Sequence, residues 1–190
     1  KSSIMFQTPL DFFVYNQRDK QLHVWAAEAA SVAIPFADDF NVLQAESQLL
    51  GDHNTENIRA AVSAVRILGV SDGIIRRAIK KFTPLPHRLE LVGTFQGVTF
   101  YDDAISTTPE STIAALNALP RVDTVFLGGL DRGYDFTKLR RALRRQRVKH
   151  IVLFPDSGKK ILPGHSGFSH VRETNSMQKA VQFAYAYTPS

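Results

Sequence analysis

The chain has 190 residues, 44% hydrophobic and 22% charged, which suits one or two domains with real cores and excludes a disordered polymer. No apolar run approaches the roughly 20 residues of a membrane span, and the lack of cysteine excludes disulfides, thiolate metal sites and a cysteine nucleophile. A net charge of +5 fits nucleic acid, an acidic surface or small anionic substrates as partners.

Taken in chain order, residues 1 to about 50 read as strands. Ile4–Thr8, Phe12–Asn16, Leu22–Ala27 and Val32–Phe36 are short apolar or alternating runs, and 16–20 is a plausible hairpin connection, so a small antiparallel sheet is expected. The texture changes at Gly51. Asn54 is predicted as an N-cap, and Ile58, Ala61, Val62, Val65 and Leu68 follow at helical spacing up to Gly69. A second helix is expected from Ser71 to Phe82, closed by Thr83-Pro84-Leu85-Pro86, where a domain boundary is placed.

From Leu89 onward strands and helices alternate. A hairpin is expected around Gln96-Gly97, a helix over Pro109–Leu119, a strand over Val122–Leu127 and a basic helix over Phe136–Arg147. A buried strand over Val148–Phe154, a short helix over 157–162, a short strand over Phe168–Val171 and a helix over Ser176–Tyr187 complete the pattern. Such alternation predicts an α/β fold with a mainly parallel sheet covered on both faces, and ligands then bind at the carboxyl ends of the strands. The arginines of the basic helix fall on the outer face of an amphipathic pattern, with no interleaved aromatic residues to support single-strand nucleic-acid binding.

Four clusters carry possible chemistry. In Gly51-Asp52-His53-Asn54-Thr55-Glu56-Asn57, two amides share one side of a helix start, where they suit the edge of a purine or simply cap the helix. Pro86-His87-Arg88 places an arginine, a phosphate ligand by geometry, at the domain joint, though linker arginines are often structural. Tyr101-Asp102-Asp103-Ala104-Ile105-Ser106-Thr107-Thr108-Pro109 sets two carboxylates at a strand end and hydroxyls before a helix, for ribose, metal or anion, or for capping. Gly128-Gly129-Leu130-Asp131-Arg132-Gly133 allows close backbone approach beside a fixed positive charge. No Gly-x-Gly-x-x-Gly run is present, which disfavours a dinucleotide, and no histidine pair has metal-ligand spacing.

In this order the four clusters resemble the Mur ligases, most closely in Tyr-Asp-Asp-x-Ile-Ser-Thr-Thr-Pro-Glu and Gly-Gly-x-Asp-Arg-Gly-Tyr-Asp-Phe, which are similar to the D-glutamate-adding branch. The resemblance covers roughly 49–188 well and 1–48 loosely. It implies that residues 1–86 are the end of a central ATPase domain and residues 87–190 most of a Rossmann-like C-terminal domain. Lys1 stands where no initiator methionine does, and the sequence stops where a helix would hand over to a strand, so both ends are expected to be cuts within a longer cytoplasmic protein.

The resemblance further implies an ATP-dependent ligase that joins D-glutamate to UDP-N-acetylmuramoyl-L-alanine through an acyl phosphate. The substrates would be these small molecules and ATP, with Mg2+ bound by residues outside this sequence. No nucleic-acid or membrane partner is implied, and a monomer is expected. Asn54 and Asn57 would face the nucleotide, Arg88 its phosphates and Asp103 its ribose, while Thr107 and Arg132 would bind the carboxylates of D-glutamate. Asn57, Arg88, Asp103 and Arg132 are expected to border one cleft. Two departures from the family are visible: Ile105 stands where some members have a lysine near the reacting phosphate, and an apolar side chain cannot hold it; Arg132 replaces a lysine of some members. No Gly-Lys-Thr/Ser phosphate loop occurs in these residues, so by themselves they are expected to lack ligase activity. The rival readings are another amide ligase of the superfamily, such as a folylpolyglutamate synthase, and a non-catalytic α/β binding module.

Overall fold

The computed structural model describes residues 2–36, 46–165, 167–168 and 170–189. The chain separates into two compact units, Lys1–Thr83 and Pro84–Ser190.

The first unit opens with a 3-10 turn at Ser2–Met5, followed by strand β1 (Phe12–Tyr15), helix α1 (Lys20–Glu28) and strand β2 (Val32–Pro35). β1 and β2 pair in parallel, Phe12 opposite Val32 and Tyr15 opposite Pro35. This corrects the expected antiparallel sheet. The run Leu22–Ala27 is helix, not strand, because Asp19 caps it: its carboxylate accepts the Gln21 and Leu22 N–H groups. The segment 16–20 is therefore a helix entry, and α1 is the crossover that parallel strands require. The expected strand at Ile4–Thr8 is also absent; Ile4 and Met5 belong to the opening 3-10 turn.

Helix α2 (Asp52–Ile67) begins three residues earlier than Asn54 would have it. Gly51 is the N-cap, at φ 90°, a backbone that only glycine adopts without strain, and its carbonyl accepts the Asn54 and Thr55 N–H groups. Helix α3 (Asp72–Lys81) starts after Ser71 as expected and is pinned to α2 by the bidentate Arg66–Asp72 pair. Val62 and Ile75 are buried between the two helices, with Ile58, Val65, Val70 and Ile79 packed around them.

The second unit starts with a hairpin of β3 (Glu90–Phe95) and β4 (Val98–Asp102), turning at Gln96-Gly97 as the sequence predicts. Helix α4 (Pro109–Ala118) follows, its entry fixed by a reciprocal capping box between Thr108 and Ser111. Then come β5 (Thr124–Gly129), α5 (Thr137–Arg145), β6 (His150–Asp156), the single turn α6 (Gly158–Ile161), β7 (His170–Glu173) and α7 (Met177–Tyr187). The three strands form one parallel sheet in the order β5-β6-β7, so all three carboxyl ends share one edge. Residue 169, inside the strand expected at Phe168–Val171, lies outside the described residues.

The core of this unit is built from Leu127, Ile151 and Leu153 of the sheet, Leu139 and Leu143 of α5, and Leu116, Ile161 and Leu162. Each such side chain contributes roughly 1.5–3 kcal/mol of burial. The basic face of α5 is largely occupied within the fold. Arg140 donates to the carbonyls of Lys160 and Ile161, satisfying the open end of α6, and Arg145 with Gln146 holds the Asn117 side chain. Arg144 lies over the Phe168 ring, 5.5 Å from its centre.

Candidate functional site

The two asparagines of α2 are not equivalent. Asn54 is buried, and its amide donates to the Leu50 carbonyl at 2.8 Å. Asn57 is half-buried and donates to the Asn54 side-chain oxygen at 3.5 Å. Asn54 is thus a strut behind Asn57, and Asn57 is the amide with hydrogen-bonding capacity to spare.

Arg88 sits in an unusual turn. Its neighbours His87 and Leu89 both adopt left-handed backbone, φ 60° and 49°, which costs non-glycine residues free energy and persists only where surroundings fix it. Here three carboxylates fix it. Glu90 accepts the His87 N–H at 2.8 Å, Asp103 accepts the buried Leu89 N–H at 3.0 Å, and Asp102 accepts from the His87 imidazole at 2.7 Å. The Ile105 N–H in turn donates to the His87 carbonyl. The turn and the end of β4 are thereby stitched together, which brings Arg88 and Asp103 to one place. The hydrogen bond that His87 donates to Asp102 raises the pKa of His87 above its usual value, and the same bond, with the Ala104 N–H, lowers that of Asp102. The Arg88 guanidinium itself is exposed and makes no hydrogen bond or ion pair among the described residues.

His87, Glu90 and Asp102 place a nitrogen and two carboxylate oxygens within 4.8 Å of one another. These atoms are already engaged in bracing the turn, and a histidine nitrogen is a poor ligand for Mg2+, which demands an octahedron of oxygens. The cluster therefore does not fit that ion.

Thr107 is exposed and directly precedes the capping residue Thr108, so its hydroxyl stands at the entry of α4, where unpaired N–H groups favour anions. Arg132 lies in the loop after β5. Asp131 on one side of it pairs with Lys160 and accepts the Gly133 N–H, and Lys160 first and that N–H second lower its pKa. Asp135 on the other side caps α5 through the Thr137 N–H. Arg132 is exposed and, among the described residues, unpartnered. Gly128 serves packing: at φ 152° a Cβ there would lie 2.6 Å from the Phe154 carbonyl oxygen. Among the described residues, no hydrogen bond or ion pair joins the Thr107 and Arg132 loops directly.

Beyond these residues, a cavity of about 510 Å3 opens at the carboxyl ends of β6 and β7, lined by Leu153, Phe154, Asp156, Lys159, Glu173 and Asn175. Sequence reasoning missed it and missed the bracing roles of Glu90 and Asp102. The signal for the cavity was present, since Asp156 ends a buried strand and Lys159 lies three residues beyond it.

The second unit is thus an α/β domain that presents two exposed arginines, Arg88 before β3 and Arg132 after β5, and the start of α4 after β4. Residues 87–189 match the Mur ligase glutamate ligase domain. The UDP-N-acetylmuramoylalanine–D-glutamate ligase of Lachnospira eligens is 30% identical over 200 residues, covering 92% of this chain and 44% of that relative. The Bacillus subtilis enzyme of the same name is 30% identical over 203 residues, covering 96% and 45%. Among solved structures, MurF from Acinetobacter baumannii superposes with a TM-score of 0.73 over 100% of this chain and 49% of its own, at 21% identity, a likeness of fold. The chain belongs to the Mur ligase family. It spans less than half the length of these curated relatives.

Proposed function

We propose that the protein is an ATP-dependent amide ligase of peptidoglycan precursor synthesis that joins D-glutamate to UDP-N-acetylmuramoyl-L-alanine. The observation that carries this reading is the braced turn around Arg88: three carboxylates hold two left-handed residues so that one guanidinium is presented without a partner. Backbone strain of this kind clusters at ligand clamps, and a guanidinium fork matches the geometry of phosphate.

In the reaction, an oxygen of the substrate carboxylate attacks the γ-phosphorus of ATP and ADP leaves, giving an acyl phosphate. The amine nitrogen of D-glutamate attacks the acyl carbon, a proton is lost from nitrogen, and phosphate departs from the tetrahedral intermediate. Such chemistry needs charge stabilisation and positioning more than a protein nucleophile. Arg88 is assigned to phosphate charge, and Asn57, with Asn54 behind it, to the purine edge. Asp103 keeps one oxygen on Leu89, which leaves the other for ribose. Thr107 and Arg132 are assigned to the carboxylates of D-glutamate. Mg2+, which neutralises phosphate charge in reactions of this type, is assigned to ligands outside these residues. No described helix is long and apolar enough to cross a membrane.

The test is amide formation by the product of the complete reading frame, supplied with ATP, Mg2+, UDP-N-acetylmuramoyl-L-alanine and one amino acid at a time. Phosphate release and a new amide are expected with D-glutamate only. Preference for another acceptor overturns the D-glutamate assignment, and no ATP-dependent amide with any acceptor overturns the ligase. The 190 residues alone, lacking a phosphate loop, are expected to release no phosphate.

A further inference from the structure

We propose that the cavity at the carboxyl ends of β6 and β7 reads the charged groups of the incoming amino acid, with Asp156 receiving its ammonium and Lys159 one carboxylate. This rests on the acceptor assignment above and extends it to residues that neither motif nor family match singles out.

Position is the first argument. In parallel sheets, ligands sit beyond the carboxyl ends of the strands, and this cavity lies there, with a volume in the range of small-molecule sites. Charge is the second. The neighbouring ions are matched within the fold: Lys160 pairs with Asp131, and Glu173 accepts from His165 at 2.9 Å. Asp156 and Lys159 stand three residues apart in one cavity and pair neither with each other nor with any other described residue. A carboxylate and an ammonium left open in one cavity are complementary to a zwitterion.

The third argument is continuity with Arg132. Asp156 lies opposite Gly129 in the sheet register, and the Ser157 N–H donates to the Gly129 carbonyl at 3.0 Å. Lys160 ties the adjoining turn to Asp131, the residue before Arg132. The loop carrying Arg132 thus starts at the rim of the cavity. With Glu173 matched by His165, the cavity offers Asp156 and Lys159 to the ligand, and Arg132, in the loop beside it, is the cation left for the second carboxylate. The apolar lining from Leu153 and Phe154 suits the methylenes between them.

The test uses steady-state kinetics on the protein from the complete reading frame. Lys159→Met and Asp156→Asn are each expected to raise the KM for the amino acid about 10-fold or more, the size of a lost charged hydrogen bond, with the KM for ATP within about twofold. Lys159→Arg is expected to recover most of the loss, and Lys159→Met to narrow the preference for D-glutamate over its side-chain amide. An unchanged amino-acid KM in both variants, while Arg132→Ala raises it, overturns the cavity assignment and leaves the acceptor site standing. An unchanged KM in Arg132→Ala as well overturns the acceptor site itself. Both side chains are exposed, so the variants are expected to melt with the parent; should Lys159→Met not fold, Lys159→Gln reads the same outcome.

Discussion

Replacing Gly128 by alanine isolates one contact that shapes the carboxyl edge of the sheet. A Cβ at Gly128 would meet the Phe154 Cβ and carbonyl oxygen at 2.6 Å, where ordinary contact begins near 3.4 Å, so β5 must move away from β6 by several tenths of an ångström. Overpacking of this kind costs about 1–3 kcal/mol. The backbone, at φ 152°, adds about 1–3 kcal/mol for any residue with a side chain. Gly129 supplies the control, because its φ is 109° and nothing lies within 4 Å of a Cβ placed there. Gly129→Ala therefore carries the backbone cost alone, and the difference between the two variants reports the steric term. In urea unfolding followed by circular dichroism, Gly128→Ala is expected to lose about 1–3 kcal/mol more than Gly129→Ala, at unchanged m-value. Equal losses would refute the argument that close approach to Phe154, rather than conformation, fixes glycine at this strand end.

Other outcomes are as definite. Asp103→Ala strips the buried Leu89 N–H of its acceptor and is expected to cost about 1–3 kcal/mol in denaturant and to raise the KM for ATP, through the lost ribose contact and the loosened turn of Arg88 together, whereas Ile105→Ala is expected to leave that KM unchanged. Arg140→Ala exposes the carbonyls of Lys160 and Ile161 and is expected to speed amide hydrogen exchange across Gly158–Leu162 ahead of the rest of the sheet. His150 is buried with its Nδ1 unpartnered among the described residues, and burial first, then His170, depresses its pKa. The unfolded chain therefore binds the proton more tightly. Stability is expected to fall as pH drops below about 6.5 and to level off beneath the folded value, and His150→Phe to flatten that slope. His87, whose pKa Asp102 raises, carries the opposite sign: its contribution is whole below about 6.5 and is lost as pH rises through the folded value, a trend that His87→Gln is expected to remove.

The second unit was legible in sequence because its signals were long and doubled. Continuous apolar runs such as 151–154 alternate with helices whose starts carry caps, and Pro109 behind Thr108 marks α4 twice over. The first unit was misread where runs were short. Leu22, Val24 and Ala26 alternate like a strand, yet over so few residues the periods of helix and strand are not distinct, and the Asp19 cap decided it. Parallel pairing of β1 and β2 followed from that helix. In the site, residue types were readable but their division of labour was not. That Asn54 serves Asn57, and that Asp103 reaches back fourteen residues to the Leu89 N–H, depends on backbone conformation with no local signature. Asp156 and Lys159 passed unnoticed because a short helix after a strand explained them fully in one dimension.

The paired strands β1 and β2 are four residues each, with Phe12 and Val32 half open to water and Phe6 and Leu10 almost wholly so. Ribbons this narrow, paired with no further strand among the described residues, are templates for adhesion to any neighbouring extended chain. Purified alone at high concentration, the polypeptide is therefore expected to self-associate through its first 36 residues, and placing lysine at Phe12 or Val32 should keep it dispersed.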